Sequence, residues 1–254
     1  MPTSPIAPLG VILAGGKGER IKGLDAREKP LAIVKDAPIV LHVARALARG
    51  GTRRVVVLTG QNHDRILQEL SLENSRGMLL DRGEPLVEIE FRFSGEEAGT
   101  GGRLLALTPD ELAEGSLLSY TDIVSSAPLD ALTSLLSKPE TVCALLAVNP
   151  REPWGRVEIT DGQVVNFAEK QTPSDIWING GVLALSNNIQ AFIKDSREML
   201  EVEVMERLLA SRLVAAHSHA GWWQAVDTQK DLREVNASPE AAEHLSEHLS
   251  LRSL

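Results

Sequence analysis

Short β-branched apolar runs alternate with longer stretches whose apolar residues recur every three or four positions through the first half of this 254-residue chain. That alternation confines it to parallel strands joined by helical crossovers. The runs predict strands at Gly10 to Leu13, Arg54 to Leu58, Val87 to Phe93, Ser116 to Tyr120 and Thr141 to Val148. The helical spacing falls near Ile39 to Arg49, His63 to Leu70, Arg103 to Leu107 and Leu129 to Leu136. From Arg156 the texture becomes hairpin-like: Val157 to Thr160 turns through Asp161-Gly162, a dipeptide that accepts positive φ cheaply, into Gln163 to Glu169. Then follow a strand at Trp177 to Leu185, a helix near Val202 to Arg212, strands near Leu213 to His217 and Trp223 to Val226, and a helix from Thr228 to about Asn236. No linker, repeat or low-complexity segment interrupts this, so one domain with a β-rich insertion is expected, followed by a surface-helical tail after Ser238.

Charge narrows the possible ligands. Lys plus Arg number 26 against 35 Asp plus Glu, a net charge of -9 that disfavours nucleic acid, since duplex binding rewards clustered positive charge. The single Cys143 sits in the apolar run Thr141 to Val148, where a buried inert thiol and a reducing compartment are expected. Met1 to Pro8 is short and Pro-rich, and no apolar run reaches the roughly 18 residues of a membrane span, so no membrane partner and a cytoplasmic location are expected.

The segment Leu9-Gly10-Val11-Ile12-Leu13-Ala14-Gly15-Gly16-Lys17-Gly18-Glu19-Arg20 runs from an apolar strand into a glycine-rich, basic turn. Glycines at 15, 16 and 18 let backbone N–H groups converge on phosphate oxygens, and Lys17 and Arg20 add full charges. The spacing fits neither the dinucleotide fingerprint nor the P-loop. A plain tight turn between strand and helix is the structural alternative.

Together with Glu28-Lys29-Pro30-Leu31, this run resembles the Leu-Ala-Gly-Gly-x-Gly-x-Arg … Lys-Pro signature of sugar-1-phosphate nucleotidyltransferases. Thr100-Gly101-Gly102-Arg103-Leu104, Trp154-Gly155-Arg156, Asn166-Phe167-Ala168-Glu169-Lys170, Ile178-Asn179-Gly180-Gly181-Val182 and Gly221-Trp222-Trp223-Gln224-Ala225-Val226-Asp227-Thr228 follow in order and resemble the glucose-1-phosphate cytidylyltransferase branch. The resemblance implies a Rossmann-like doubly wound α/β fold with a mixed, mostly parallel sheet, helices on both faces and a β-rich sugar-binding insertion, the nucleotide-diphospho-sugar transferase fold. It divides the chain into a nucleotidyltransferase domain over 1–237, with a nucleotide-binding part over about 9–150 and a sugar-phosphate-binding part over about 151–237, and a C-terminal helical tail over 238–254. Relatives assemble, so a homo-oligomer is expected.

The implied reaction is attack by a sugar-phosphate oxygen on the α-phosphorus of a nucleoside triphosphate, with release of pyrophosphate. Both reactants are anions, so charge neutralisation and in-line positioning must do the catalysis. By resemblance, Arg20 holds the β- and γ-phosphates, Leu13, Ala14 and the amides of Gly15 to Gly18 surround the triphosphate, and Lys29 meets the α-phosphate. Asp122, after the strand Leu117 to Tyr120, and Asp227, after Trp222 to Val226, resemble the family's Mg²⁺-binding aspartates, though Thr121 stands where glycine is common. Asp227 has an alternative role as an N-cap of the following helix. Lys170 is implied to neutralise the attacking phosphate and Glu169 to bridge sugar hydroxyls, with Gln171 where the family has proline. Trp154, Gly155, Asn179, Gly180 and Gly181 are implied around the sugar, and Trp177 or Trp222 could give it a flat apolar face or belong to the core. Glu203 resembles the family's acidic sugar contact, although a carboxylate in a first helical turn also complements the helix dipole.

Base choice rests on Gly99-Thr100-Gly101-Gly102-Arg103, a loop of small residues whose backbone could face a base edge while Arg103 reaches the cytosine carbonyl or the phosphates. The resemblance therefore points to CTP, with guanylyl or uridylyl transfer to another sugar 1-phosphate or phosphonate as the alternative. His217 and His219 share one side of a strand but lack a third ligand for zinc, and His244 and His248 on the tail read the same way. No Gly-x-Ser-x-Gly elbow supports a hydrolase. The competing class is a catalytically silent nucleotide-sugar sensing subunit on the same fold.

Overall fold

The computed structural model describes residues 8–16, 28–150, 155–169, 176–245 and 247–254. Its strands are β1 Leu9–Ala14, β2 Ile33–Val34, β3 Ala37–Pro38, β4 Arg54–Thr59, β5 Arg76–Asp81, β6 Glu84–Phe93, β7 Ser116–Tyr120, β8 Ile123–Ser125, β9 Cys143–Val148, β10 Arg156–Thr160, β11 Gln163–Ala168, β12 Ile178–Leu185, β13 Val214–His219, β14 Trp223–Ala225 and β15 Leu249–Ser253. The α-helices are α1 Ile39–Arg49, α2 His63–Glu69, α3 Leu129–Leu135, α4 Met205–Ala210, α5 Gln229–Ala237 and α6 Pro239–His244.

Nine strands form the central sheet in the order β13-β9-β12-β7-β1-β4-β6-β5-β15. The pairs β1/β4, β1/β7, β4/β6 and β9/β13 are parallel, while β12 runs against both its neighbours and β5 against both of its own. Seven strands thus point one way and two the other, the expected mixed and mostly parallel sheet. Sequence alone places its centre because β1 and β7 are covered on both faces, which demands a nearly continuous apolar run. One apolar cluster packs α1 on one face of the sheet, through Val40, Val43, Ala44 and Leu47 against Ile12, Val55 and Val57. A second packs Leu104, Leu107, Leu200, Val204 and Leu208 on the other, against Val11, Val56, Leu58 and Leu118.

Two strands of the central sheet, β5 and β15, differ from expectation. β5 pairs with β6 through a hairpin turn at Arg82 and Gly83, whose φ angles of 53° and 84° lie in the left-handed region. The tail over 238–254, expected to be helical, keeps a helix only in α6, and Leu249–Ser253 then adds to the sheet edge against β5. Leu249 and Leu251 alternate inward onto the first cluster, so tertiary burial chooses the strand over the helix suggested by the charged residues before it. The expected insertion hairpin forms as β10 and β11, turning at Asp161 and Gly162 with φ of 50° and 78°. Of the other strands of that half, β12 and β13 extend the central sheet and β14 pairs with β8 in a separate two-stranded ladder. Among the described residues no helix is long and apolar enough to cross a membrane.

Candidate active site

Parallel β1 and β7 lie side by side, with Leu13 opposite Tyr120, and the chain leaves β1 on one side to reach β4 and returns on the other as β7. Open α/β sheets form their ligand crevice at such a switch point, beyond the carboxyl ends of the strands. A cavity of about 400 Å³ opens there, lined by residues from the end of β1 (Leu13, Ala14, Gly15, Gly16), from the end of β7 (Tyr120, Thr121, Asp122), and by Lys29, Pro30, Thr100, Arg103 and Glu201. Eight residues assigned to the nucleotide from sequence therefore meet at one place: Leu13, Ala14, Gly15, Gly16, Lys29, Thr100, Arg103 and Asp122.

Lys29 begins a single 3-10 turn, Lys29–Leu31, in which Pro30 and Leu31 are buried and fix the backbone. Its Nζ donates to Asp122 Oδ2 at 2.6 Å and to Asp227 Oδ1 at 2.5 Å. The lysine side chain and that of Asp122 are each 20% exposed. Burial alone would lower the Lys29 pKa, but the Asp122 and Asp227 carboxylates outweigh it and hold the ammonium above its ordinary value. The short antiparallel ladder of β8 and β14 brings the two aspartates together across 105 residues of sequence. Ile123 pairs with Ala225, and the N–H of Val226 donates to the Asp122 carbonyl at 2.8 Å, so Asp122 and Asp227 flank the same end of the ladder.

The N-cap role belongs to Thr228. Its hydroxyl accepts from the Asp231 N–H at 3.2 Å while Asp231 accepts from the Thr228 N–H at 2.8 Å, a complete capping box. The Asp227 carboxylate is thereby left to face Lys29.

Arg103 lines the cavity and is bonded to the protein's own backbone. It is 4% exposed, and its guanidinium donates to the carbonyls of Thr59 (3.0 Å), Gly95 (2.9 Å) and Gly15 (3.0 Å) and to the Ser94 hydroxyl (2.8 Å). Burial holds its pKa below the usual value. A Cβ on Gly15 would stand 1.8 Å from Arg103 Cζ, so glycine is required there by the packed guanidinium. The neighbouring glycines are likewise occupied: the N–H groups of Gly99, Gly101 and Gly102 donate to the carbonyls of Ser196 (2.9 Å), Glu198 (3.0 Å) and Glu198 (3.1 Å). A Cβ on Gly102 would lie 1.7 Å from the Ser196 oxygen. These residues seat the 196–204 segment, so the Gly99, Gly101 and Gly102 amides are taken by the protein's own carbonyls, while Thr100 and Arg103 line the cavity.

That segment supplies a cavity residue the sequence reading missed. Glu201 accepts from the Thr100 hydroxyl at 2.5 Å and from the Tyr120 hydroxyl, and Thr100 Oγ1 in turn accepts from the Leu200 N–H at 2.8 Å. Burial and the Glu201 carboxylate both raise the Tyr120 pKa. Glu203, the expected sugar contact, instead accepts from the Met199 N–H at 2.9 Å and does not line the cavity. Only the turn geometry separates these two glutamates: they open a π-helical turn, Leu200–Val204, that puts one toward Thr100 and the other back on its own backbone.

The remaining assignments lie outside the cavity lining or outside the described residues. Trp222 packs against the α5 cluster and stacks on His244 with ring centroids 5.6 Å apart, so the core role is the observed one. Gly180 and Gly181 allow close packing, Gly180 on Val148 and Gly181, with φ of 74°, on Ile123 and Tyr120. Asn179 Oδ1 accepts from the Gly181 N–H at 2.9 Å. Gly155 and Glu169 meet at the base of the β10/β11 hairpin, where a Cβ on Gly155 would be 2.6 Å from Glu169 Oε2. Lys17, Gly18, Arg20, Trp154 and Lys170 lie outside the described residues. Among the described residues no group of three or more His, Cys, Asp or Glu side chains is placed to hold a metal ion, so the His217 and His219 pair gathers no third ligand. A buried Cys143, its pKa pushed up to about 12 by burial, matches the inert thiol expected.

A family model described as nucleotidyl transferase matches residues 9–241. A Bacillus subtilis (strain 168) protein named probable glucose-1-phosphate cytidylyltransferase is 30% identical over 239 residues, covering 89% of this chain and 94% of its own. The glucose-1-phosphate cytidylyltransferase of Salmonella typhimurium (strain LT2) is 26% identical over 238 residues, covering 87% and 91%. The crystal structure of HddC from Yersinia pseudotuberculosis superposes with a TM-score of 0.63 at 19% identity, over 90% of this chain and 98% of that one, a likeness of fold. With the glycine-rich end of β1, the lysine and the two aspartates gathered at one crevice, and a family match spanning nearly the whole chain, this protein belongs to the nucleotidyl transferase family.

Proposed function

We propose that the chain transfers CMP from CTP to a sugar 1-phosphate, with glucose 1-phosphate the first candidate, giving a CDP-sugar and pyrophosphate with Mg²⁺ as cofactor. The observation that carries this reading is the convergence of Lys29, Asp122 and Asp227 on one point at the mouth of the glycine-lined cavity. A phosphate oxygen of the sugar forms a bond to the α-phosphorus, the bond from that phosphorus to the bridging oxygen breaks, and pyrophosphate carries away the electron pair. Nothing here needs a protein nucleophile, because positioning and charge neutralisation suffice for the displacement.

The carboxylate pair suits a small hard cation, since Asp122 and Asp227 already point one oxygen each at a single positive charge. Bound there, the ion would offset charge on the phosphates during the displacement. Lys29 neutralises the α-phosphate, Gly16, with open space where a Cβ would stand, lets the triphosphate approach the backbone, and Arg20 and Lys170 take the pyrophosphate and the attacking phosphate by resemblance. Glu201, held by Thr100 and Tyr120, offers an acceptor for hydroxyl or amino hydrogens of a substrate. The choice of cytosine is supported by similarity to the cytidylyltransferases of B. subtilis and S. typhimurium.

The test is pyrophosphate release with Mg²⁺ over the four nucleoside triphosphates against a set of sugar 1-phosphates and phosphonates, with Asp122→Asn as control. Turnover confined to CTP and one sugar 1-phosphate is expected. Turnover with another base moves the specificity, and nucleotide binding without turnover across the whole grid replaces the enzyme by a sensing subunit.

A further inference from the structure

We propose that Lys29 is the built-in counter-cation of the Asp122 and Asp227 pair, and that it must leave them for the cavity before a divalent ion can take its place. The proposal rests on the reading of that pair as the metal site and goes beyond it, because it makes one lysine serve two alternative anions.

Two carboxylates that face each other in a partly buried site repel unless a cation lies between them. Here one ammonium does so, with oxygens at 2.6 and 2.5 Å from a single nitrogen. Mg²⁺ takes its oxygen ligands at about 2.0–2.1 Å, so both oxygens already stand within a small contraction of metal distance from one point. An ammonium and a divalent ion cannot occupy that point together. The resident charge therefore competes with the metal, while it also keeps the pair assembled when no metal is bound.

The cavity beside the aspartates offers the lysine a place to go. Pro30 and Leu31 are buried and hold the backbone at residue 29, whereas the side chain is a flexible four-carbon stem that lines the glycine-rich cavity as well as touching the aspartates. An anion bound beside Gly15 and Gly16 offers the ammonium a partner of equal charge type. Nucleotide would thus draw Lys29 away and open the carboxylate pair in one movement. Metal affinity should be low for the protein alone and rise once triphosphate is present, without any change in the ligands.

The experiment is a titration of the nucleotide-free protein with Mn²⁺, read by the electron paramagnetic resonance signal of free Mn²⁺ and repeated by calorimetry with Mg²⁺. Wild type, Lys29→Met and Lys29→Arg are compared after circular dichroism has confirmed folding. Removing two charge-assisted hydrogen bonds from the competition should tighten binding on the order of ten- to a hundredfold in Lys29→Met. Lys29→Arg should stay near wild type, and Asp227→Asn added to Lys29→Met should abolish the gain. Equal or weaker binding by Lys29→Met overturns the exchange.

A measurement on wild type alone covers the case in which Lys29→Met does not fold. Acylation of Lys29 by an amine reagent, followed by peptide mass spectrometry, should speed up when Mg²⁺ saturates the nucleotide-free protein, and an unchanged rate overturns the proposal. The underlying metal assignment is separated by a different pair of samples: Mn²⁺ binding with CTP present should fall in Asp122→Asn. If it does not, the metal site is elsewhere and the exchange falls with it. If it does while Lys29→Met binds no tighter, only the exchange fails.

Discussion

The guanidinium of Arg103 donates to the carbonyl of Gly15 at 3.0 Å, tying the start of the glycine-rich loop to the Thr59 and Gly95 carbonyls through one buried side chain. An arginine that looks in sequence like a ligand for nucleotide is in the structure a clamp on the backbone of the glycine-rich loop. It acts on the site through Gly15, so its removal should disturb every triphosphate alike.

Arg103→Ala should leave a void where the buried side chain packs, strip the Gly15 and Gly95 carbonyls of its hydrogen bonds, and cost about 2–4 kcal/mol of stability. Binding of all four nucleoside triphosphates should weaken by similar factors, measured by calorimetry alongside urea unfolding. A selective loss of CTP binding with stability intact would return Arg103 to base recognition.

Thr228 and Asp227 are adjacent but have separate tasks, one capping α5 and the other facing Lys29. Thr228→Ala should lower stability by about 1 kcal/mol and leave Mg²⁺-dependent turnover largely in place. Asp227→Asn, which removes charge without changing volume, should abolish turnover while the far-ultraviolet circular dichroism stays native. The same reasoning applies to Asp122→Asn.

Glu201 and Glu203 should part in the same way. Glu201→Gln is expected to raise KM for substrate or lower kcat because it alters the charge facing Thr100 and Tyr120 in the cavity. Glu203→Gln should change steady-state constants little and stability by less than about 1 kcal/mol, since it lies outside the cavity lining and accepts from the Met199 N–H. Steady-state kinetics on both variants decides the assignment, and the opposite pattern would restore Glu203 to the substrate.

His42 makes stability pH-dependent away from the site. It is 3% exposed, its Nε2 lies 2.7 Å from the Val34 carbonyl, and burial, with nearby Arg45, pulls its pKa down to about 4 against the pull of that carbonyl and Asp81. The unfolded chain binds this proton near pH 6.5 and the folded one only near 4, so the unfolded state gains protons first on acidification. The contribution is full above pH 6.5 and is lost as pH falls toward 4, at no more than about 1.4 kcal/mol per pH unit. Urea unfolding at pH 7 and pH 5 should show the loss in wild type, and His42→Gln should flatten it.

The sequence by itself determined the central strands, the Ile39–Arg49 helix, the Asp161-Gly162 hairpin and the glycine, lysine and aspartate set of the cavity. These are local properties: an apolar run buried on both faces, a 3.6-residue period and a dipeptide tolerant of positive φ are written in neighbouring residues. Tertiary structure decided the rest. Leu249–Ser253 becomes a strand only because β5 leaves an edge to pair with. Arg103 becomes a clamp because the carbonyls of Gly15 and Thr59, far from it in sequence, converge on it beside the nearby Ser94 and Gly95. Glu201 outranks Glu203 through the orientation of a single helical turn, and Asp227 reaches Lys29 because the β8/β14 ladder brings it beside Asp122 while Thr228 takes the cap. Which residues have chemistry to offer is a matter of side-chain type, but which anion a given cation meets depends on distances that only the folded chain sets.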